Sequence, residues 1–168
     1  MKKVVALMML SISLFMSSAY AAENNITKEE NKMHEEFTTV FARGAKNDAY
    51  AKYFVGQSYL NMLSLEQVGI ANVTFEPGCR NNWHIHHADK GGGQILLVTD
   101  GRGYYQEWGK EARELLPGDV VNIPAGVKHW HGAAPNSWFA HLAIEVPGEN
   151  SRNEWCEPVN EKEYKSLK

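Results

Sequence analysis

The chain has 168 residues, of which 43% are apolar and 22% are charged, a balance typical of folded globular proteins that excludes wholesale disorder. This length fits one ordinary domain, so a two-domain enzyme is not expected. The formal net charge is −3 at pH 7, and a surface of that sign repels phosphate backbones and anionic lipid, which argues against a nucleic-acid-binding or membrane-surface protein.

The first 21 residues have the order of a secretory signal peptide. Lys2 and Lys3 precede an apolar run over residues 4–16, and small residues follow up to Ala21, which is the charged, apolar and small-residue order that export signals share. A membrane anchor is the alternative, but the run is shorter than the roughly 20 residues of a membrane-spanning helix. We therefore expect a signal peptide over residues 1–21 and a periplasmic or secreted mature protein that makes no membrane contact after cleavage.

Residues 22–52 are predicted to form a helical extension. Thr27 and Glu30 have the spacing of a capping box, which marks the start of a helix. Apolar side chains then recur at helical spacing, at Met33, Phe37, Val40 and Phe41. The pattern predicts one amphipathic helix over Lys28–Arg43, whose apolar face covers a sheet or a partner subunit.

From Tyr53 onwards the pattern changes to short alternating runs with turn residues between them. Such runs predict strands, here over residues 57–65, 69–75, 81–87, 94–99, 104–108, 112–116, 120–123, 129–133 and 138–146. Because no helical segment separates these runs, a parallel sheet is excluded and an antiparallel sandwich or barrel is expected.

The C-terminal residues carry a second helix signal. Asn160 is followed by Glu163 at the third helical position, and Val159 and Tyr164 can make the hydrophobic contact that often accompanies a capping box. We predict a short closing helix and treat residues 53–168 as one barrel domain with a C-terminal tail.

The two cysteines, Cys79 and Cys156, leave two alternatives open. An oxidising compartment would permit one disulfide between them, whereas two free thiols, one of them buried, are equally compatible with the sequence. Their wide separation argues against a zinc ribbon or a thioredoxin-like redox pair.

Six of the seven histidines fall between residues 83 and 141. Alternate residues on a strand share a face, so His84 and His86 lie on one side of their strand, as do His129 and His131 on theirs, while His141 belongs to a third strand. Imidazole nitrogen is the commonest protein ligand for divalent transition metals. If these faces point into the barrel, the imidazoles converge on one shared metal ion.

The spacing of these residues resembles the two motifs of the cupin superfamily. The first motif, G(x)5HxH(x)3–4E(x)6G, is followed except in one interval by Gly78, His84, His86, Gln94 and Gly101. The second, G(x)5PxG(x)2H(x)3N, appears as Gly118, Pro124, Gly126 and His129, with Ala133 in place of the Asn. The resemblance implies an all-β double-stranded β-helix, a jelly-roll barrel that holds one metal, here with an N-terminal helix and a short C-terminal helix.

The sequence departs from the first motif after His86. Seven residues, 87–93, precede Gln94, where the motif allows three or four before a Glu. Register with Gly101 nominates Gln94 as the fourth ligand, with Asp89 as the alternative. The glycines at 91–93 would then form a bulge that re-enters the strand.

His129 and His131 are followed ten residues on by His141, and an H-x-H pair with a later Gln precedes them. Within the cupins, this spacing is similar to that of the bacterial manganese-dependent hydroxynitrile lyases and of the cupins associated with carboxymuconolactone decarboxylase. This resemblance implies a ligand set, His84, His86, Gln94 and His129. It implies an acid/base at His141, and it implies pocket-lining residues at Ala71, Val73 and Glu145. The expected cofactor is one divalent transition metal, with manganese as the functional ion and iron, zinc, copper or nickel as alternatives.

The residues themselves suggest related roles for the two remaining inward histidines. His141 lies on the inner face of its strand and is available for proton transfer, although a structural histidine bonded to a backbone group is the alternative. His131 is a second catalytic candidate, or a residue that orients a metal-bound imidazole.

Three functions follow from such a site. Three imidazoles and an amide leave the full charge on a divalent ion, which favours a lyase that uses the metal as a Lewis acid on a small oxygen-containing substrate. A non-haem dioxygenase and a non-catalytic cupin that binds a metal or small molecule are the alternatives. The expected assembly is a homo-oligomer, a dimer or a tetramer.

Overall fold

The computed structural model describes residues 37–167. The predicted signal peptide and the capping box of Thr27 and Glu30 lie outside these residues, and so does most of the predicted helix. Its last part, residues 37–43, is not helical, so the prediction of a helix reaching Arg43 is wrong. The carbonyl of Ala42 accepts hydrogen bonds from the side chains of Asn61 and Asn72, each at 3.1 Å, so the segment is bonded to the sheet instead of to its own next turn.

Two antiparallel sheets form the body of the protein. In spatial order, the first sheet contains β1 (Ala45–Lys46), β3 (Ser58–Ser64), β4 (Ile70–Phe75), β13 (Phe139–Glu145), β8 (Gly93–Gly101) and β11 (Val120–Pro124). The second contains β10 (Arg113–Leu115), β9 (Gly103–Glu107), β12 (Lys128–Ala133), β5 (Arg80–Asn81) and β2 (Phe54–Val55), and β6 (His84–His87) pairs with both β12 and β15 (Arg152–Trp155). A small ribbon pairs β14 (Gly148–Glu149) with β7 (Lys90–Gly91).

The alternating sequence runs form these strands because alternate side chains reach the interior. In β11, Val121 and Ile123 are buried while Asn122 between them is exposed, which is the period of a half-buried strand. Apolar side chains of both sheets fill the interior, including Phe75, Leu96, Leu115 and Phe139. The prediction of an all-β double-stranded β-helix is confirmed.

One predicted strand, over residues 81–87, is interrupted and becomes β5 and β6. The backbone N–H of Asn82 donates to the carbonyl of Tyr53 at 2.8 Å, and that of Trp83 donates to the carbonyl of Glu157 at 3.0 Å. These partners from outside the barrel strands replace the ladder bonds at the break.

A second apolar cluster lies on the outer side of β12 and is closed by the C-terminal helix. Helix α1 (Glu161–Lys165) begins as predicted, with the Asn160 side chain accepting bonds from the N–H groups of Lys162 and Glu163. Tyr164 is buried in this cluster and donates to the carbonyl of Ala133 at 2.7 Å. The predicted closing helix is confirmed, and its role is to cover the outer face of the barrel.

The helices of the described chain are short, namely the 3-10 helix Asp48–Tyr53 and α1. Within residues 37–167, no helix has both the length and the apolar character needed to cross a membrane.

Both cysteines are free thiols. Cys79 is fully buried in the barrel interior, whereas Cys156 packs against the outer cluster. Burial raises the pKa of the Cys79 thiol to about 12, which makes it unreactive near neutral pH.

Candidate metal centre

Three histidines from two paired strands meet inside the barrel. His84 and His86 lie on β6 and His129 on β12, where His129 stands opposite His84 in the register. One ring nitrogen from each residue lies within 4.8 Å of the other two, and all three side chains are buried. The alternation expected from the sequence therefore brings these imidazoles together.

Each of these imidazoles is held by an acceptor on its Nδ1 side. Nδ1 of His84 lies 3.0 Å from the carbonyl oxygen of Asn82, that of His86 lies 3.0 Å from Oε1 of Glu145, and that of His129 lies 2.9 Å from the carbonyl oxygen of Val127. Since carbonyl and carboxylate oxygens only accept, Nδ1 carries the hydrogen in each ring. The lone pair of each neutral ring is therefore on Nε2, as a metal ligand requires.

Three buried acceptor atoms at this point have no hydrogen-bond partner within residues 37–167. They are Nε2 of His86, Nε2 of His129 and Oε1 of Gln94. An unpaired buried polar group lowers the free energy of unfolding by about 1–3 kcal/mol, so these three acceptors destabilise the protein without metal. A divalent transition metal is a suitable common partner because imidazole nitrogen and amide oxygen both coordinate such ions. The residues present fit the cofactor that the sequence predicts.

Gln94 reaches the centre through the glycine run expected to form a bulge. The φ angles of Gly91, Gly92 and Gly93 are 65°, 74° and 97°, values that favour glycine. At Gly93 a Cβ atom would lie 2.2 Å from the carbonyl oxygen of Ile123, so any other residue there would push β8 off its neighbour. Gln94 is the first residue after this bend.

Asp89, the alternative fourth ligand, lies elsewhere. Its Oδ2 accepts a hydrogen bond from Nδ2 of Asn150 at 2.7 Å in an exposed loop. It is not part of the cluster formed by His84, His86 and His129, so the geometry favours Gln94.

A cavity of about 360 Å³ opens over the histidine cluster. Its floor contains His84, His86, Gln94 and His131, and the three residues expected in the pocket, Ala71, Val73 and Glu145, all line its walls. The outer part is aromatic and apolar, with Tyr50, Phe54, Leu60, Met62 and Trp155.

His131 and His141 form a bonded pair beside the cluster. Nε2 of His141 lies 3.1 Å from Nδ1 of His131. His131 lines the cavity, whereas His141 is completely buried behind it, with its ring 5.4 Å from those of Phe75 and Phe139. From the sequence we expected the acid/base at His141 and a second candidate or orienting residue at His131, and the structure places His131 between His141 and the cavity.

Burial governs the protonation of these imidazoles. It lowers the pKa of His141 and of His129 to about 4, and it holds the pKa of His131 and His84 well below the ordinary value, with neighbouring imidazoles adding to the effect for the last two. All four rings are therefore neutral near pH 7 in the protein without metal.

Trp155 belongs to the site although no sequence pattern singled it out. It stands opposite His84 in the β15–β6 register, and its ring stacks on the His84 imidazole at 4.9 Å and on the Tyr53 ring at 4.5 Å. The run that carries it, residues 152–155, is too short to show a period. Only the pairing of β15 with the ligand strand identifies its role.

Comparison of the sequence with known proteins finds a matching domain family and a similar enzyme. The sequence profile of the cupin domain matches residues 71–141, a range that includes all four candidate ligands. The chain is 45% identical over 95 residues to the (R)-mandelonitrile lyase of Granulicella tundricola, which covers 56% of this chain and 70% of the relative.

Two solved structures show the same architecture. A cupin-like protein from Thermotoga maritima has a TM-score of 0.66 and 40% identity, covering 76% of this chain and 96% of its own. A protein with a double-stranded β-helix domain from Klebsiella pneumoniae has a TM-score of 0.50 and 17% identity, covering 70% of this chain and 84% of its own. The second likeness concerns the fold alone.

Proposed function

The chain belongs to the cupin family, and we propose that it is a metal-dependent lyase that cleaves a carbon–carbon bond in a small, oxygen-containing substrate. The observation that carries the proposal is the set of unpartnered acceptors on His86, Gln94 and His129, beside the pair of His131 and His141. His86 and Gln94 line the cavity. The mandelonitrile lyase that is 45% identical to this chain supports the reaction class.

The polar floor provides the binding site for the cofactor. His84, His86, Gln94 and His129 would hold one divalent ion, whose positive charge stabilises negative charge on a substrate oxygen. Manganese is the ion we propose. Iron, zinc, copper and nickel are the alternatives, because three imidazoles and one amide do not by themselves select among these metals.

The imidazole pair provides a proton acceptor. His131 and His141 are neutral near pH 7 because burial lowers the pKa of both rings, so either can take up a proton. His131 lies at the cavity wall and receives the proton of the substrate hydroxyl, while His141 orients it and shares the charge. In cyanohydrin cleavage, the electron pair of the broken carbon–carbon bond leaves with cyanide, which then recovers that proton as the carbonyl product forms.

The cavity walls favour an uncharged substrate. Of the residues that the structure describes, no lysine or arginine lines the cavity, and Glu145 adds a carboxylate to its wall. The outer part is apolar and aromatic. A neutral molecule with an apolar group and a hydroxyl or carbonyl oxygen matches this lining better than an organic anion does.

Protein loaded with Mn(II) and assayed with mandelonitrile tests the proposal. We expect release of benzaldehyde and hydrogen cyanide in proportion to metal content, without oxygen consumption. The His84→Ala/His129→Ala double variant is the control and should be inactive. Metal-loaded protein that cleaved neither aromatic nor aliphatic cyanohydrins would contradict the lyase assignment.

A non-haem dioxygenase is the second candidate, and one contact favours it. The carboxylate of Glu145 lies 3.0 Å from Nδ1 of His86, and negative charge next to a metal ligand stabilises oxidised metal. Substrate-dependent oxygen uptake by Fe(II)-loaded protein, with no cyanohydrin cleavage by the Mn(II) form, would select this function.

Export to the periplasm or the medium is part of the proposal, on the strength of the order of residues 1–21. Mature protein recovered from its native cells should begin at Ala22. An intact Met1 on the active protein would contradict export with cleavage.

A further inference from the structure

Two neighbouring imidazoles of β6 each contact a carboxylate, but on opposite sides of the strand. Nδ1 of His86 lies 3.0 Å from Oε1 of Glu145, and Nε2 of His87 lies 2.7 Å from Oε2 of Glu154. His86 is buried in the metal cluster, whereas His87 belongs to the outer face. The two pairs have similar chemistry, and only one of them touches the candidate metal centre.

Glu145 occupies a specific place relative to the ligands. It is the last residue of β13 and stands opposite Gln94 in the β13–β8 register, so its carboxylate enters the site from the strand beside the fourth ligand. The other two ligand imidazoles donate to uncharged carbonyl oxygens. Among the ligands, His86 is therefore distinguished by an anionic partner.

We propose that Glu145 is a positioning residue that supplies, through His86, the negative charge that the ligand set lacks. Gln94 is neutral where the cupin motif has a Glu, so the four ligands carry no charge of their own. A carboxylate that accepts the Nδ1 hydrogen of an imidazole fixes the tautomer of the ring and makes its Nε2 a stronger donor. The negative charge thus lies on the Glu145 carboxylate, on the far side of His86 from the candidate metal position, and not on a metal ligand. This inference rests on the metal centre of the proposed function.

The exposure of Glu145 limits the size of this effect. Its side chain is 46% exposed while that of His86 is 6% exposed, so solvent screens part of its charge. The directional hydrogen bond to a buried ring persists, because His86 cannot turn without losing both this bond and its place in the cluster. We therefore expect a change in metal affinity and ligand field with little change in stability.

Metal affinity measured on three single variants separates charge from hydrogen bonding. Glu145→Ala removes both and should weaken Co(II) binding about 10–100-fold in competition with a chromogenic chelator. Glu145→Gln keeps an acceptor oxygen and removes the charge, and it should fall between the wild type and Glu145→Ala. Glu154→Gln is the matched control, since it makes the same change at His87, and its affinity should equal that of the wild type.

The visible absorption of bound Co(II) gives a readout that a merely structural role would not move. The d–d bands should shift to longer wavelength in Glu145→Gln, because a weaker imidazole donor produces a smaller ligand field, and they should stay in place in Glu154→Gln. Wild-type Co(II) affinity in Glu145→Ala would overturn the proposal. So would Glu145→Gln protein with wild-type Co(II) affinity and band positions, or a loss of Co(II) affinity in Glu154→Gln equal to that in Glu145→Gln.

The same measurements distinguish this inference from the proposed activity. Co(II) binding that responds to Glu145 in a protein without lyase activity would overturn the activity and leave the role of Glu145 standing. Wild-type protein that bound no Co(II) would overturn the metal centre, and the role of Glu145 with it.

Discussion

The two faces of β12 differ in whether their buried polar groups are hydrogen-bonded. On the outer face, Trp130 is fully buried and its indole N–H donates to Oε1 of Gln106 at 2.7 Å. On the inner face, one residue away, His129 is equally buried but its Nε2 has no partner within residues 37–167. The outer face pairs its buried polar group, as a stable core does. The inner face leaves the Nε2 acceptor of His129 unpaired, which lowers stability and is typical of a ligand-binding site.

Removal of the inner-face ligands should produce the largest effect. The His84→Ala/His129→Ala double variant should lose nearly all bound metal, because two of the four donors are gone and the remaining pair lies on different strands. Elemental analysis of the purified protein measures this loss. Full metal occupancy in the double variant would place the site elsewhere and remove the contrast between the two faces.

Changing His141 should separate proton transfer from metal binding on the inner face. His141→Ala should keep metal content near one ion per chain while turnover falls by about 10²–10⁴-fold, the range for lost acid–base assistance, because His131 would lose the ring that orients it and shares its charge. Metal content and turnover are measured on the same preparation. Loss of the metal together with activity would make His141 a ligand, and unchanged turnover would remove it from the reaction.

Changing Trp130 should affect stability and leave metal binding unchanged, which tests the outer face. Trp130→Ala should lower the free energy of unfolding by about 3–5 kcal/mol, as expected for a large aromatic residue removed from a core. Trp130→Phe, which keeps most of the apolar area, should lose less and bind metal normally. Urea unfolding and metal analysis measure the two effects, and metal loss in Trp130→Phe would show that the faces are not independent.

The smallest effect per residue concerns the pH dependence of stability and again involves the inner face alone. In metal-free protein, burial lowers the pKa of His129 and His141 to about 4, below the value of about 6.5 in the unfolded chain. The unfolded state therefore binds more protons as the pH falls from 6.5 to 4, so stability is complete above this range and is lost within it. At pH 5 the loss should be about 2 kcal/mol for each group.

Urea unfolding of the metal-free protein at pH 7.5 and pH 5 measures this dependence. His141→Gln carries one depressed imidazole fewer and should show a smaller difference between the two pH values. Equal free energies of unfolding at both pH values in the wild type would mean that the inner histidines are not buried as neutral rings.

Local sequence pattern was sufficient for much of the fold. The alternation in β11 and β12 places inward and outward residues correctly, because a half-buried strand imposes a period of two on its own sequence. The cap at Asn160 was equally readable, since its partners lie within the next three residues. The break between β5 and β6 was not predictable, because it depends on the distant carbonyls of Tyr53 and Glu157.

The candidate site shows the same division between local and distant information. Strand alternation predicted that the inward histidines converge, and the cupin resemblance implied His84, His86 and His129 as ligands. The structure brings these three together. The contact of Glu145 with His86, the order of His131 and His141, and the stacking of Trp155 on His84 all join residues far apart in the chain. No period in the sequence encodes such contacts, so they appear only once the strands are paired.

The pairing of β6 also sets the order in which the centre can assemble. Its ladder partners, β12 and β15, both come later in the chain, and His84 faces His129 on one side and Trp155 on the other. A chain emerging from the ribosome presents the His84 and His86 pair long before either neighbour exists. Because contacts between distant segments close slowly, we expect the site to reach its final packing only when residues 152–155 have docked beside His84, and we expect the metal to be bound late in folding.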